Sequence, residues 1–503
     1  MVRIYSAKVR RSKAACILWM VVVISNVRVH AEPTSTAQAS ANIVYILADD
    51  LGYGDVRCLN PESKIPTPRM DKLAAEGMIF TDAHSGSAVC TPTRYGLLTG
   101  RYAWRTRLKQ HVLWGYSLPL IDHGELTVAQ YLKDQGYHTA CIGKWHLGLG
   151  WQTTDGMKLG DTSDLTGENI DFAKPYTHGP LNLGFDYFFG IAASLDMPPY
   201  VYLEQDRATA IPTAMKPTTF RTGLTAEGFE PVKVLPDLAD RAVAYLKERH
   251  ATNPEQPFFL YLPLTSPHTP VVPSPDVKGF SQAGDYGDFV AQSDRAIGQV
   301  MDALDDLNLR KNTLVIVTSD NGSTEPVEKM VDSYGHRPNH HFRGRKSDVW
   351  EGGHRVPFIV RWPAQVDAGS KSAETICHTD LLATVADLLG APLPEGAGQD
   401  SVSLLPALLG EKREKPLRDY TVHHSIDGTF ALRKGPWKFI DGPGSGGWSS
   451  QGANAPGPDA PPVQLYNLDT DIGETRNLWE AEPEKLTELR ALLEACKAGD
   501  SEH

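Results

Sequence analysis

The chain has 503 residues, 41% of them hydrophobic and 22% charged, with a formal net charge of −12. That is enough apolar material for a large core spread over two or three domains. The acidic balance, with no basic face standing out, excludes a general nucleic-acid binder but leaves a small anionic substrate open, because local charge at a site can oppose the global sign.

Residues 1–31 read as a signal peptide: a basic stretch, "MVRIYSAKVRRSK", an apolar run, "AACILWMVVVISNV", and small residues in "VHA" ending at Ala31. The apolar run is short for a membrane span, and no other long one follows. The expectation is an exported chain with no stable membrane span, periplasmic or secreted, or lysosomal in an animal source. Cleavage removes Cys16 and leaves Cys58, Cys90, Cys141, Cys377 and Cys496. Five is an odd number for a compartment in which thiols usually pair. Cys141, inside "HTACIG", reads as a small buried hydrophobe.

From residue 42 onward, short continuous apolar runs end in polar residues: "NIVYILADD" (42–50), "HTACIGKWH" (138–146), "PFFLYLPLTSPH" (257–268), "TLVIVTSDNG" (313–322) and "PFIVRWP" (357–363). Runs of this kind fit strands buried on both faces of a mostly parallel sheet. Helical patterns lie between them at 126–137, 237–250 and 288–309, and a fourth at 380–390 ends on Gly390, a helix-stop signal. The alternation predicts an α/β fold, a large mixed, mostly parallel sheet sandwiched by helices. After about residue 400 the texture changes. A hairpin is expected over 420–440 with its turn at Asp427-Gly428, followed by a Gly/Pro/Ser/Ala loop at 441–462 and a final helix. The resulting boundaries are a signal over 1–31, a main domain over 32–400 and a small C-terminal α+β subdomain with an antiparallel sheet over 401–503.

Ligands of open α/β sheets bind at the carboxyl ends of strands. That rule gathers Asp49, Asp50, Lys144, His146, His268, Asp320 and Asn321 at one edge. Asp49-Asp50 and Asp320-Asn321 are hard-oxygen pairs just past strands, suited to calcium or magnesium; either pair alone reads as an ordinary turn. Asn321 also opens "NGS", the one glycosylation sequon, which a buried metal ligand would leave inaccessible. Cys90, in "AVCTPTRYGLLTGR" (88–101), stands at the start of an expected helix with Pro92 in its first turn. A disulfide, a buried apolar role and a low-pKa thiolate all remain open for it. Lys144, His146, His268 and Lys346 singly read as ordinary charged or loop residues.

Six segments in order resemble the type I sulfatases of the arylsulfatase group, in the alkaline phosphatase-like superfamily. "CTPTR" is similar to that family's Cys-x-Pro-x-Arg signature and "GKWHLG" to its second signature. "ADD", "SPH", "SDNG" and the lysine after "FRGR" follow in order, and residues 42–390 carry the likeness. The resemblance implies a sulfuric ester hydrolase whose Cys90 is oxidised by a maturation enzyme to formylglycine (3-oxoalanine). The hydrated aldehyde has two hydroxyls on one carbon; one attacks sulfur and the other lets the residue expel sulfate.

The resemblance further implies one calcium ion held by Asp49, Asp50, Asp320, Asn321 and modified Cys90, and Arg94 orienting formylglycine. Lys144, His268 and Lys346 would grip sulfate, His146 would assist proton transfer, and Lys346 or His268 would protonate the leaving alcohol. Ser194 and Asp196, in "IAASLDMPPY", fall where the family's substrate pocket lies. Sulfated carbohydrates are the expected substrates, with aryl sulfates as artificial ones. The rivals are a phosphoester or phosphonate hydrolase of the same superfamily and an inactive sulfoglycan-binding protein.

Overall fold

The strand Asn42–Asp49, NIVYILAD, is buried at every position after the first. A strand apolar on both faces is stable only inside a sheet covered on both sides. The computed structural model describes residues 41–157, 159, 166–216 and 221–499, so the expected signal peptide lies outside the described residues. In it this strand is near the middle of a ten-stranded sheet. The sheet order is Ser370–Ser372, Met78–Phe80, Phe358–Arg361, Thr313–Ser319, Asn42–Asp49, Phe258–Pro267, His138–Lys144, Tyr187–Ile191, Leu203–Glu204 and Arg207–Ala208. The central strands from Thr313–Ser319 to Tyr187–Ile191 run parallel, while Phe358–Arg361 pairs antiparallel with both of its neighbours. The sheet is therefore mixed and mostly parallel, as the apolar runs predict.

Its helices form two packed groups. One contains Pro68–Ala75, Pro231–Thr252 and Gly284–Asp306; the other contains Cys90–Thr99, Val128–Asp134 and Leu381–Leu389. The last ends where expected, with Gly390 in the left-handed conformation at φ +61°. Tyr187–Ile191 has no separate forecast in the sequence, because its five residues lie in a stretch without a clean strand boundary.

The region expected to be one hairpin is three strands, Thr421–His424, Phe430–Lys434 and Trp437–Ile440. The Asp427-Gly428 turn is present, but Gly435-Pro436 makes a second one, since proline has no N–H to give a ladder. Gln464–Asn467 completes a separate four-stranded antiparallel sheet. The Pro483–Ala498 helix covers it, burying Leu489 and Leu493 with Val422, Leu432, Phe439 and Leu465, and with Tyr102 and Trp104 from the main part of the chain.

A buried charged seam joins the two sheets as well. Lys438 Nζ lies 3.0 Å from Glu351 and 2.8 Å from Glu474, all fully buried. Beside it, Ala88 N donates to His424 O at 3.0 Å and Ile426 N to Ser347 O at 3.0 Å. The small sheet thus holds the backbone just before Cys90 and just after Lys346. No helix among the described residues is long and apolar enough to cross a membrane.

The central strands also depend on closely packed glycines. Gly143, at φ +142°, lies so close to the next strand that a Cβ there would be 1.9 Å from Pro263 O. Gly143→Ala should destabilise the fold by roughly 1–3 kcal/mol. Gly136→Ala, also at positive φ but with nothing within 4 Å of its Cβ, should cost less. Urea midpoints of the two variants decide; equal losses would show that φ alone, not strand crowding, governs Gly143.

Candidate active site

The parallel register sets Ala48 opposite Ser319, so both chains leave the sheet at the same level. Asp320 N donates to Ala48 O at 3.1 Å, and Asp50 N reaches Asp320 Oδ1 at 3.2 Å. Asp50 turns away at φ +68°, a left-handed conformation that a short polar side chain tolerates. Asp49, Asp50, Asp320 and Asn321 are all fully buried in one group. Lys144 ends the strand two places along the sheet, and His268 follows the strand between.

The Cys90–Thr99 helix begins beside them. Val89 is its extended N-cap, and Pro92 falls in the first turn where it costs no hydrogen bond. Cys90 and Arg94 are four residues apart and so share a face.

Every carboxylate here has a cation. Lys144 Nζ is 2.7 Å from Asp49 Oδ2, Arg94 Nη2 is 2.7 Å from Asp320 Oδ2, and Lys346 Nζ is 2.8 Å from Asp50 Oδ1. Arg94 Nη1 also donates to Lys144 O at 3.0 Å. Asp50 further accepts from Asn321 Nδ2 at 2.7 Å and from Thr324 Oγ1, and its Oδ2 is 3.7 Å from His268 Nε2.

Burial alone would keep these acids protonated. For Asp49 it is outweighed by Lys144, His268, Arg94 and Lys346, which hold the carboxyl well below the usual range. For Asp320, burial and the neighbouring Asp49 charge win over Arg94 and Lys144, and the carboxyl is pushed up to about 7. Burial lowers Lys346 but the carboxylates overcome it, raising its ammonium above the ordinary value. His146 is pushed well below its usual value by burial and then by Lys144 and Arg94. Its Nε2 is 2.7 Å from Leu113 O, which makes that nitrogen the donor and leaves Nδ1, buried and unpartnered, as a lone pair. Burial also raises the Cys90 thiol, against Lys144 and Lys346, so the residue as encoded is a poor thiolate.

The donor set fits a divalent cation. Asp49 Oδ1 and Asn321 Oδ1 are buried and accept no hydrogen bond, and ligand atoms of Asp49, Cys90 and Asp320 lie within 4.8 Å of one another. Orphaned acceptors among hard oxygens are what a calcium-like ion satisfies.

Above Cys90 lies a cavity of about 420 Å³. Lys346, His268 and Thr324 line it beside Cys90, and Trp114, Asp196, Arg221 and Trp448 also line it. Arg221 pairs with the Asp196 carboxylate and lies 4.6 Å over the Trp114 ring. Asp196 Oδ1 is buried without a hydrogen-bond partner, 4.0 Å from His268 Nδ1. Ser194 is buried with an unpartnered hydroxyl and does not line the cavity.

Thr324, Arg221, Trp114 and Trp448 were not foreseen. Thr324 is three residues past Asn321 and could have been read as part of the same turn. Trp448 is a lone aromatic in the Gly/Pro-rich 441–462 loop, where no pattern says which way it will face. Arg221 follows residues with no periodic pattern and gave no signal.

Residues 41–391 match the sulfatase family model, and the chain belongs to that family of sulfuric ester hydrolases. It is similar to the N-acetylgalactosamine-6-O-sulfatase of Bacteroides thetaiotaomicron, 36% identical over 91% of this chain and 93% of that one. It is also similar to human arylsulfatase A, 34% identical over 90% and 86%. A solved structure described under the metabolism of multiple glycosaminoglycans by Bacteroides thetaiotaomicron superposes with a TM-score of 0.79 at 33% identity, covering 92% of this chain and all of that one.

Arg94→Ala should cost up to about 3–5 kcal/mol of unfolding free energy, because it leaves Asp320 in the interior without its cation, to stay charged or to take up a proton. Arg94→Ala with Asp320→Ala should recover part of that loss. Denaturant titration of the two singles and the double measures the coupling; strictly additive losses would mean that the pair does not interact.

Proposed function

We propose that this chain hydrolyses sulfate monoesters of carbohydrates, with formylglycine made from Cys90 and one calcium ion held by Asp49, Asp50, Asp320, Asn321 and residue 90. The observation that carries this reading is the burial of three carboxylates, two orphaned oxygens and Cys90 together under a cavity. The similarity to an N-acetylgalactosamine-6-O-sulfatase supports the sugar class, as do two tryptophans on a cavity of small-ligand size.

When bound, the cation neutralises sulfate oxygens and favours an ionised hydroxyl on residue 90, whose aldehyde hydrate supplies the attacking oxygen. The rest falls to this chain's own side chains. Arg94 orients residue 90 and holds Asp320. Lys144 and Lys346, fixed by Asp49 and Asp50, donate to sulfate oxygens as charge builds on them. Lys346 is held too firmly as an ammonium to release its proton readily. His268, with both ring nitrogens protonated, is the better general acid: Nδ1–H donates to Thr269 O at 2.6 Å, and Nε2–H, 3.7 Å from Asp50 Oδ2, is the proton it gives up. The His146 Nδ1 lone pair accepts a proton during release of sulfate.

Cys90 is 2% exposed in the folded chain, which supports conversion by a separate maturation enzyme before folding closes. The N-terminal stretch supports export.

Peptide mass spectrometry of active protein should find an aldehyde, not a thiol, at residue 90. Cys90→Ala should lower kcat/KM toward a sulfate ester on the order of 10⁴-fold or more with the fold intact. A fully active protein with an unmodified thiol would refute the chemistry. His268→Asn should lose more activity on a sugar sulfate than on nitrophenyl sulfate, whose leaving group needs no proton; equal losses would remove His268 as the acid.

A further inference from the structure

A second groove, of about 830 Å³, lies beside the cavity above Cys90. The two share a wall, for Trp448 lines both. Arg337, His340, His341, Arg343 and Arg345 stand around this groove, with Glu328 the one acidic side chain lining it. That sign is unusual in a chain of net charge −12.

None of the three arginines has an ion pair with an acid, though Arg343 is near enough to Asp471 to help lower its carboxyl. Arg343 donates to Glu474 O at 2.7 Å and lies 3.6 Å over the Trp350 ring. Arg345 donates to Thr324 O at 2.8 Å and lies 5.7 Å from the Trp448 ring. Arg337 is exposed. Among the described residues none of the three has a carboxylate at ion-pair distance. Elsewhere Arg69, Arg105, Arg241, Arg295 and Arg310 each do. Two of the groove arginines are instead held by backbone carbonyls and aromatic rings. That fixes their position and leaves positive charge for an outside anion.

Continuity with the catalytic cavity says which anion. Arg345 precedes Lys346 in the chain, and the carbonyl it holds belongs to Thr324, whose hydroxyl bonds Asp50. A molecule with its reacting sulfate over Cys90 and its ring beside Trp448 would reach the wall that Trp448 also gives the groove.

We propose that the groove is a second carbohydrate subsite, which binds an anionic sugar residue, sulfated or carboxylate-bearing, of the same glycan whose sulfate ester reacts at residue 90. This inference rests on the carbohydrate-sulfatase reading above. It makes the preferred substrate an oligosaccharide with more than one anionic group.

The test compares three substrates: a monosaccharide sulfate, a disaccharide carrying the same sulfate on one residue, and that disaccharide with a further sulfate or uronate on the second residue. The parent should show its lowest KM on the last, and the advantage should shrink as salt rises. Arg337→Ala, at an exposed position, should raise that KM about 2–5-fold, the range of one partly exposed charge pair. Arg337→Glu should raise it further. In both variants kcat and the monosaccharide kinetics should stay at parent values. Equal KM for parent and variants on all three substrates, with sulfate release intact, overturns the subsite alone. No sulfate release by parent from any of the three, with the residue-90 aldehyde in place, overturns the carbohydrate reading and the subsite with it.

Discussion

Three carboxylates buried within contact of one another are the constraint around which the rest of this protein is arranged. Left alone in the interior, Asp49, Asp50 and Asp320 would repel each other and take up protons. The fold answers with one cation for each, Lys144, Lys346 and Arg94. Even so the match is incomplete. Asp49 Oδ1 and Asn321 Oδ1 remain without hydrogen bonds, and the Asp320 carboxyl stays raised to about 7 by burial and Asp49. An interior tuned only for stability would more easily use apolar residues there, so the cluster is kept for chemistry.

The scaffold makes that arrangement affordable in free energy by spreading it across four strand ends and one helix start. Register between Asn42–Asp49 and Thr313–Ser319 fixes the Asp49-Asp50 and Asp320-Asn321 pairs side by side, and the Cys90–Thr99 helix brings Arg94 one turn behind Cys90. The small C-terminal sheet completes the site from outside the main sheet. It bonds to Ala88 and Ser347 through His424 and Ile426, and its loop sends Trp448 to the rim with Trp448 N on Ser347 Oγ at 2.8 Å.

Much of this was legible in the sequence, for physical reasons that can be named. Strands apolar on both faces announce a covered parallel sheet, and polar residues at their carboxyl ends announce the ligand edge; that rule is what gathers Asp49, Asp50, Lys144, His146, His268, Asp320 and Asn321 at one edge from the sequence alone. Asn321 is fully buried, so the sequon it opens has no room for a glycan. What could not be read depends on contacts distant in sequence. Nothing near Arg221 says that it will meet Asp196, and nothing in the loop around Trp448 says which cavity it will wall. The second turn at Gly435-Pro436 was visible as a proline after a glycine, yet the stronger Asp-Gly signal eight residues earlier drew the single hairpin. Ser194, gathered with Asp196 by likeness to the family, is not among the residues that line the cavity, while Asp196 is.

The most direct measurement is the binding of calcium to purified, metal-stripped protein by titration calorimetry, beside the nearly isosteric Asp320→Asn variant. One equivalent bound by the parent, with affinity lost or greatly weakened in the variant, is the expected result. A parent that binds no divalent cation, or a variant that binds it equally well, would contradict the reading of the three-carboxylate cluster as a metal cradle.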